Sequence, residues 1–115
     1  MNTAAQAAQA YGNASAHRSQ RSQEAEVFRR VIGTLKAARQ AGEMAQVKAL
    51  SDNRRLWMTV ADVLRDPANT LPVALRSSIL SLGICVHREM NQPTPDFDFL
   101  ISVNENIAEG LSAST

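Results

Sequence analysis

The stretch EMAQVKALSDNRRLWMTVADVLRDP, Glu43 to Pro67, decides the fold. Met44, Val47, Leu50, Trp57, Met58, Ala61 and Leu64 recur with the period of a helix face, and Leu56, Val60 and Val63 widen the apolar arc in the second half. The proline ring pushes the residue before it out of the α region, so Asp66-Pro67 ends this helix near Arg65. A helix apolar over so much of its circumference belongs in the middle of its fold.

Toward the C-terminus, Asp66 to Leu71 reads as a loop, and Pro72 suits the first turn of a helix that continues to about Met90. Asn91-Gln92-Pro93 breaks it. Thr94 as N-cap, Pro95 at the first helical position and Asp96 and Asp98 in the first turn then open a last helix. Its apolar side holds Phe97, Leu100, Ile101, Ile107, Ala108 and Leu111. Toward the N-terminus, Ser22 can cap a helix with Glu24 and Glu26 at the positive end of its dipole. Val27, Phe28, Val31, Ile32, Leu35 and Ala38 fall within an arc of about 140° on it, and Gly42 supplies its stop. Residues 1–21 are mostly Ala, Gln, Ser and Asn around Tyr11, with no periodic apolar face, and read as a flexible arm, mobile or ordered by a partner. The expected fold is an all-α bundle of four to five helices, one helical domain over residues 22–115.

At 115 residues and 12.5 kDa the chain supports one core, with about two-thirds of its extended surface buried on folding. No apolar run reaches the roughly 18 residues of a membrane span, and Met1 to Ala10 lack the charge and apolar block of a secretory signal. Cys85 stands alone, which excludes an internal disulfide and suits a reducing, cytoplasmic setting. The net charge is +1, but His17 to Arg65 carries ten Lys and Arg against five acids, and Asp66 to Thr115 two against six. Neither half has the strongly basic balance of a domain that lives on nucleic-acid phosphates.

Few residues invite chemistry. On a helix the i, i+2, i+4 spacing of Cys85, His87 and Glu89 turns successive members to different sides, so they read as a packed Cys85 and a surface His87. No nucleophile has a base beside it and the glycines are scattered, so no enzyme and no cofactor is expected. Trp57 is expected as a core anchor. Arg54, one turn from both Leu50 and Trp57, must find an internal ion pair or a helix end to clamp, or else meet a partner. Arg55 points toward the polar strip of Lys48, Asp52, Thr59 and Asp62. The third helix is the anomaly. Leu75, Ile79, Leu82, Val86 and Met90 form a core stripe about 80° wide, while Val73, Leu80 and Ile84 form a second ridge nearly opposite. Two apolar faces require two partners, either a sandwiched position in the bundle or a groove for an amphipathic helix of another protein. In the second case Arg76 and His87 flank the ridge and can pair with acidic groups, and Leu71 is exposed on its loop unless it packs.

Three stretches, NRRLW (Asn53 to Trp57), NTLPVALRSSILSL (Asn69 to Leu82) and SVNENIAEGL (Ser102 to Leu111), together with Tyr11 and EAEVFRRVIGTL (Glu24 to Leu35), resemble the FlaF family of flagellar biosynthesis regulators. The resemblance covers about residues 11 to 112. Two features depart from the family pattern: Cys85 stands where a large aromatic is usual before Val86, and an Ala/Gln-rich start precedes Tyr11. The resemblance implies a cytoplasmic protein that promotes flagellin synthesis and export, a flagellin secretion chaperone acting with or against the translational regulator FlbT. The alternative is a regulator that touches flagellin mRNA directly through Arg18, Arg21, Arg29, Arg30, Arg54 and Arg55, or acts through FlbT. The low aromatic content, 4%, argues against the RNA reading by leaving few platforms on which bases could stack.

Overall fold

Alanine, glutamine and serine need no apolar face to be helical, and the first helix starts well ahead of Ser22. The computed structural model describes residues 3–113, with side chains for 3–9 and 22–111. It contains α1 (Thr3–Ala38), α2 (Glu43–Arg65), α3 (Val73–Met90) and α4 (Phe97–Ala113), and no strand among the described residues. The sequence reading placed the start of α1 at Ser22 because amphipathicity begins there, and local propensity carries the helix back to Thr3. Residues 3–9 are exposed, and the first buried residue described on α1 is Ala25. The side chains of Tyr11, Arg18 and Arg21 lie outside the described residues. A 36-residue helix is about 54 Å long and dominates the shape, whose longest extent is 63 Å. The radius of gyration is accordingly 17.2 Å, against about 13 Å for a compact chain of this length. No helix of the described residues is long and apolar enough to cross a membrane.

Polar side chains fix the joins. Gln46 donates from Nε2 to the carbonyls of Arg39 (3.3 Å) and Ala41 (3.5 Å), tying the first turn of α2 to the end of α1. In the α2–α3 loop, Asp66 Oδ1 accepts from the Ala68 N–H and Asn69 Oδ1 from the Leu71 N–H, both at 2.9 Å, two Asx turns in succession. Pro72 is the N-cap residue of α3 and precedes its first turn. The last helix is capped by Asp96 where the sequence suggested Thr94. Asp96 Oδ1 accepts from the Phe99 N–H at 3.1 Å, and its own N–H is held by Glu89 Oε2 at 3.0 Å.

Ala25, Phe28, Ile32, Leu35 and Ala38 line the buried side of α1 at spacings of three and four residues. They meet Phe97, Leu100, Ile101 and Ala108 of α4 chiefly, and Ala49, Leu56 and Trp57 of α2 next. The ion pairs Arg39–Asp98 (2.6 Å) and Lys36–Glu105 (3.9 Å) show that α1 and α4 run antiparallel. Both are exposed, so each stabilises by no more than about 1 kcal/mol.

Helix α3 rests mainly on α2, at one edge of the bundle. Its expected stripe is buried only toward the C-terminus: Val86 and Met90 are enclosed, Ile79 and Leu82 are partly covered, and Leu75 faces solvent. Cys85 is exposed, against the packed position expected for it, because α3 packs mainly on α2 and Cys85 lies off that contact. The broad arc of α2 is divided in the same way. Met44, Val47, Met58 and Val63 are exposed, and the core-facing line runs through Ala49, Asn53, Leu56, Trp57 and Leu64.

The α2–α3 contact is close because Gly83 lacks a side chain. A Cβ there would lie 3.2 Å from Trp57 Cε3, whereas one on Gly33, exposed in α1, would meet nothing within 4 Å. Gly33→Ala should raise stability by about 0.5–1 kcal/mol through helix propensity. At Gly83 that gain is opposed by overpacking of about 1–3 kcal/mol, so Gly83→Ala should be neutral or destabilising. Urea midpoints of the two variants test this, and equal gains at both sites would refute the close contact.

Candidate functional site

Four residues from three helices form a buried polar chain. Trp57 donates from Nε1 to Asn104 Oδ1 at 2.9 Å, Asn104 donates from Nδ2 to Asn53 Oδ1 at 2.7 Å, and Asn53 donates from Nδ2 to Met90 Sδ at 3.3 Å. Asn53 and Asn104 are fully buried, and these bonds satisfy their amides within the core. The Phe28 ring meets the indole edge-on, with centroids 6.3 Å apart and planes at 89°. The indole is thereby fixed from α1 and α4, and Gly83 brings α3 against it.

Beyond that contact α2 and α3 part into a groove of about 390 Å³. Its floor and walls are Trp57, Met58, Val60 and Ala61 from α2 and Ile79, Leu80, Gly83 and Ile84 from α3. Its rim carries Arg54 and Arg65 on α2 and Arg88 on α3, with His87 beside them. Met58 and Ile84 are more than half exposed. The groove thus offers apolar surface beside positive charge, a combination suited to an amphipathic helix.

The residues singled out in the sequence divide over this geometry. Leu80, Ile84 and His87 line the groove; Val73 does not and is 68% exposed at the start of α3. Arg76 also lies outside the lining, half-buried, and its Nε is enclosed with no hydrogen-bond partner among the described residues. Trp57 is largely buried and contributes its remaining edge to the floor. Arg54 stands on the rim and donates to the side chain of Asn91, the C-cap residue of α3, at 3.2 Å. Leu71 lies exposed on its loop. Of Cys85, His87 and Glu89, which share one stretch of α3, His87 is on the rim, Cys85 is exposed and Glu89 holds the Asp96 N–H; no group of three or more metal-ligating side chains occurs among the described residues.

Sequence reasoning did not find Met58, Ala61, Arg65 and Arg88 as lining, nor the Asn53–Asn104 pair. The asparagines did leave a signal, since both sit at four-residue spacing from buried apolar residues: Ala49 and Trp57 around Asn53, Leu100 and Ala108 around Asn104. A second, shallower depression runs along the outer side of α2 between Glu43 and Arg55, with Met44 and Val47 exposed in it. Only α2 lines it, and its charges are mixed in sign.

A family model described as "Flagellar protein FlaF" matches residues 7–111, and the chain belongs to that family. No curated protein and no solved structure matches it.

Proposed function

We propose that this FlaF-family protein is a non-enzymatic flagellin secretion chaperone that also promotes flagellin synthesis, and that it works in the cytoplasm. The observation that carries the reading is the apolar groove beside α3, a helix whose second ridge is left partly uncovered by the described residues. Flagellin termini are amphipathic helices that must not polymerise before export, and a groove of this kind can cover one. Residues 22–115 would then be the binding domain, and residues 1–21 an arm available to the partner. Val73 and Arg76 extend the surface toward the N-terminus of α3, so they are expected to contact the same partner less closely than Leu80, Ile84 and His87 do.

The alternative, direct action on flagellin mRNA or through FlbT, requires the arginines named for it to share one surface. Those with described side chains are dispersed: Arg29 and Arg30 lie on α1, Arg54 on the groove rim and Arg55 in the outer depression of α2.

Leu80→Asp and Ile84→Asp separate a binding ridge from a core ridge. Each variant should keep the helicity and melting temperature of the parent and lose retention of flagellin in a pull-down. Unfolding of both would place the ridge in the core, because each would then bury an unpaired carboxylate, and undiminished retention would remove the groove from the function.

A further inference from the structure

The charges of α2 and α3 are sorted by side. None of the acidic residues on the two helices lines the groove: Glu43 and Asp52 lie along the outer depression of α2, Glu89 is turned to the Asp96 N–H, and Asp62 is exposed outside the lining. Arg54, Arg65 and Arg88 do line it, and none has an ion-pair partner among the described residues, Arg54 being bonded only to the neutral Asn91. Unpaired guanidinium groups around an apolar floor leave positive potential where a partner must dock.

Their placement carries a length. The helices are antiparallel, as the Asn53–Met90 and Trp57–Gly83 contacts require, so Arg54 and Arg88 stand at one end of the groove and Arg65 at the other. Arg54 and Arg65 are separated by eleven residues of α2, about 16 Å along its axis. Eleven residues are also close to three full turns, so two side chains at that spacing on a docked helix project from the same side.

We propose that the groove selects an amphipathic helix of at least three turns that carries a carboxylate at each end of its apolar stripe, about eleven residues apart. This rests on the helix-binding reading given above and adds the charge of the occupant. The floor supplies affinity by removing apolar area from water, and the rim supplies choice, because exposed ion pairs contribute little while like charges brought together are strongly disfavoured.

The intact protein carries its own reporter, since Trp57 is the only tryptophan and lines the groove. Two synthetic 16-residue helical peptides with one leucine stripe, bearing either Glu or Lys at two positions eleven residues apart, are titrated against its fluorescence. The Glu peptide should bind about tenfold more tightly than the Lys peptide, with the difference shrinking as salt is raised. Arg65→Glu combined with Arg88→Glu should invert the preference, and Arg65→Gln with Arg88→Gln, which leaves Arg54 in place, should reduce it severalfold, with circular dichroism confirming that both fold. Equal affinity for the two peptides, a preference for Lys, no binding of either, or a preference untouched by the arginine variants overturns the proposal. Tighter binding of an oligouridylate than of the Glu peptide also overturns it and assigns the rim to nucleic acid. Failure to retain flagellin alongside a clear Glu preference removes the chaperone reading and leaves the charge selectivity standing.

Discussion

Trp57→Ala should lower the stability of the folded chain by about 3–5 kcal/mol. The indole is 6% exposed and touches all three neighbouring helices: Phe28 of α1 edge-on, Gly83 of α3 in close contact, and Asn104 of α4 through a hydrogen bond. Truncation removes its apolar area, leaves a cavity and frees a buried carbonyl of Asn104 from its donor. A chain of 115 residues has about 6–17 kcal/mol of total stability, so the loss is a large fraction of the whole. Urea unfolding followed by circular dichroism measures it, since the variant has no tryptophan left to report. Trp57→Phe separates the contributions: it keeps an aromatic ring but orphans the same carbonyl, and should cost about 1–3 kcal/mol. An unchanged midpoint for Trp57→Ala would mean that the indole packs against nothing that matters to the fold.

The helices between Glu43 and Leu111 were legible because amphipathic period and proline punctuation agree there. The start of α1 was not, because Thr3 to Arg21 is helical by propensity without an apolar face, and periodicity is blind to such a segment. The helix of Leu80 and Ile84 showed its second ridge in sequence, since one helix suffices to reveal an i, i+4 pair. Met58, Arg65 and Arg88 become part of the same surface only once the approach of Gly83 to Trp57 sets how α2 and α3 cross, and no single-helix pattern contains that information. The exposure of Leu75 and Cys85 has the same origin, because α3 lies at the edge of the bundle rather than within it.

Asn104→Ala should cost about 2–6 kcal/mol although it removes a polar side chain from an otherwise apolar core. Two groups lose their partners together, the Trp57 Nε1–H and Asn53 Oδ1, and each unsatisfied buried group costs about 1–3 kcal/mol. Asn53→Ala should cost less, because the groups it orphans are one N–H of Asn104 and the weakly accepting sulfur of Met90. The double variant should be less destabilised than the two single changes added together, by about 0.5–3 kcal/mol, because the Asn53–Asn104 bond can be lost only once. Strict additivity in urea midpoints would show that the two amides act independently. The same pair gives the network a further role. Asn53 on α2 and Asn104 on α4 meet at 2.7 Å and both are fully buried, so sliding either helix by one turn would strand both amides, where a purely apolar seam would tolerate the shift. The bonds therefore hold the register of α2 on α4 and, through Met90, the position of α3 on α2, on which the width of the groove depends. Asn104→Ala should accordingly weaken binding of the Glu-flanked peptide even at temperatures where the variant is still fully folded. Retained affinity in the folded variant would confine the network to stability alone.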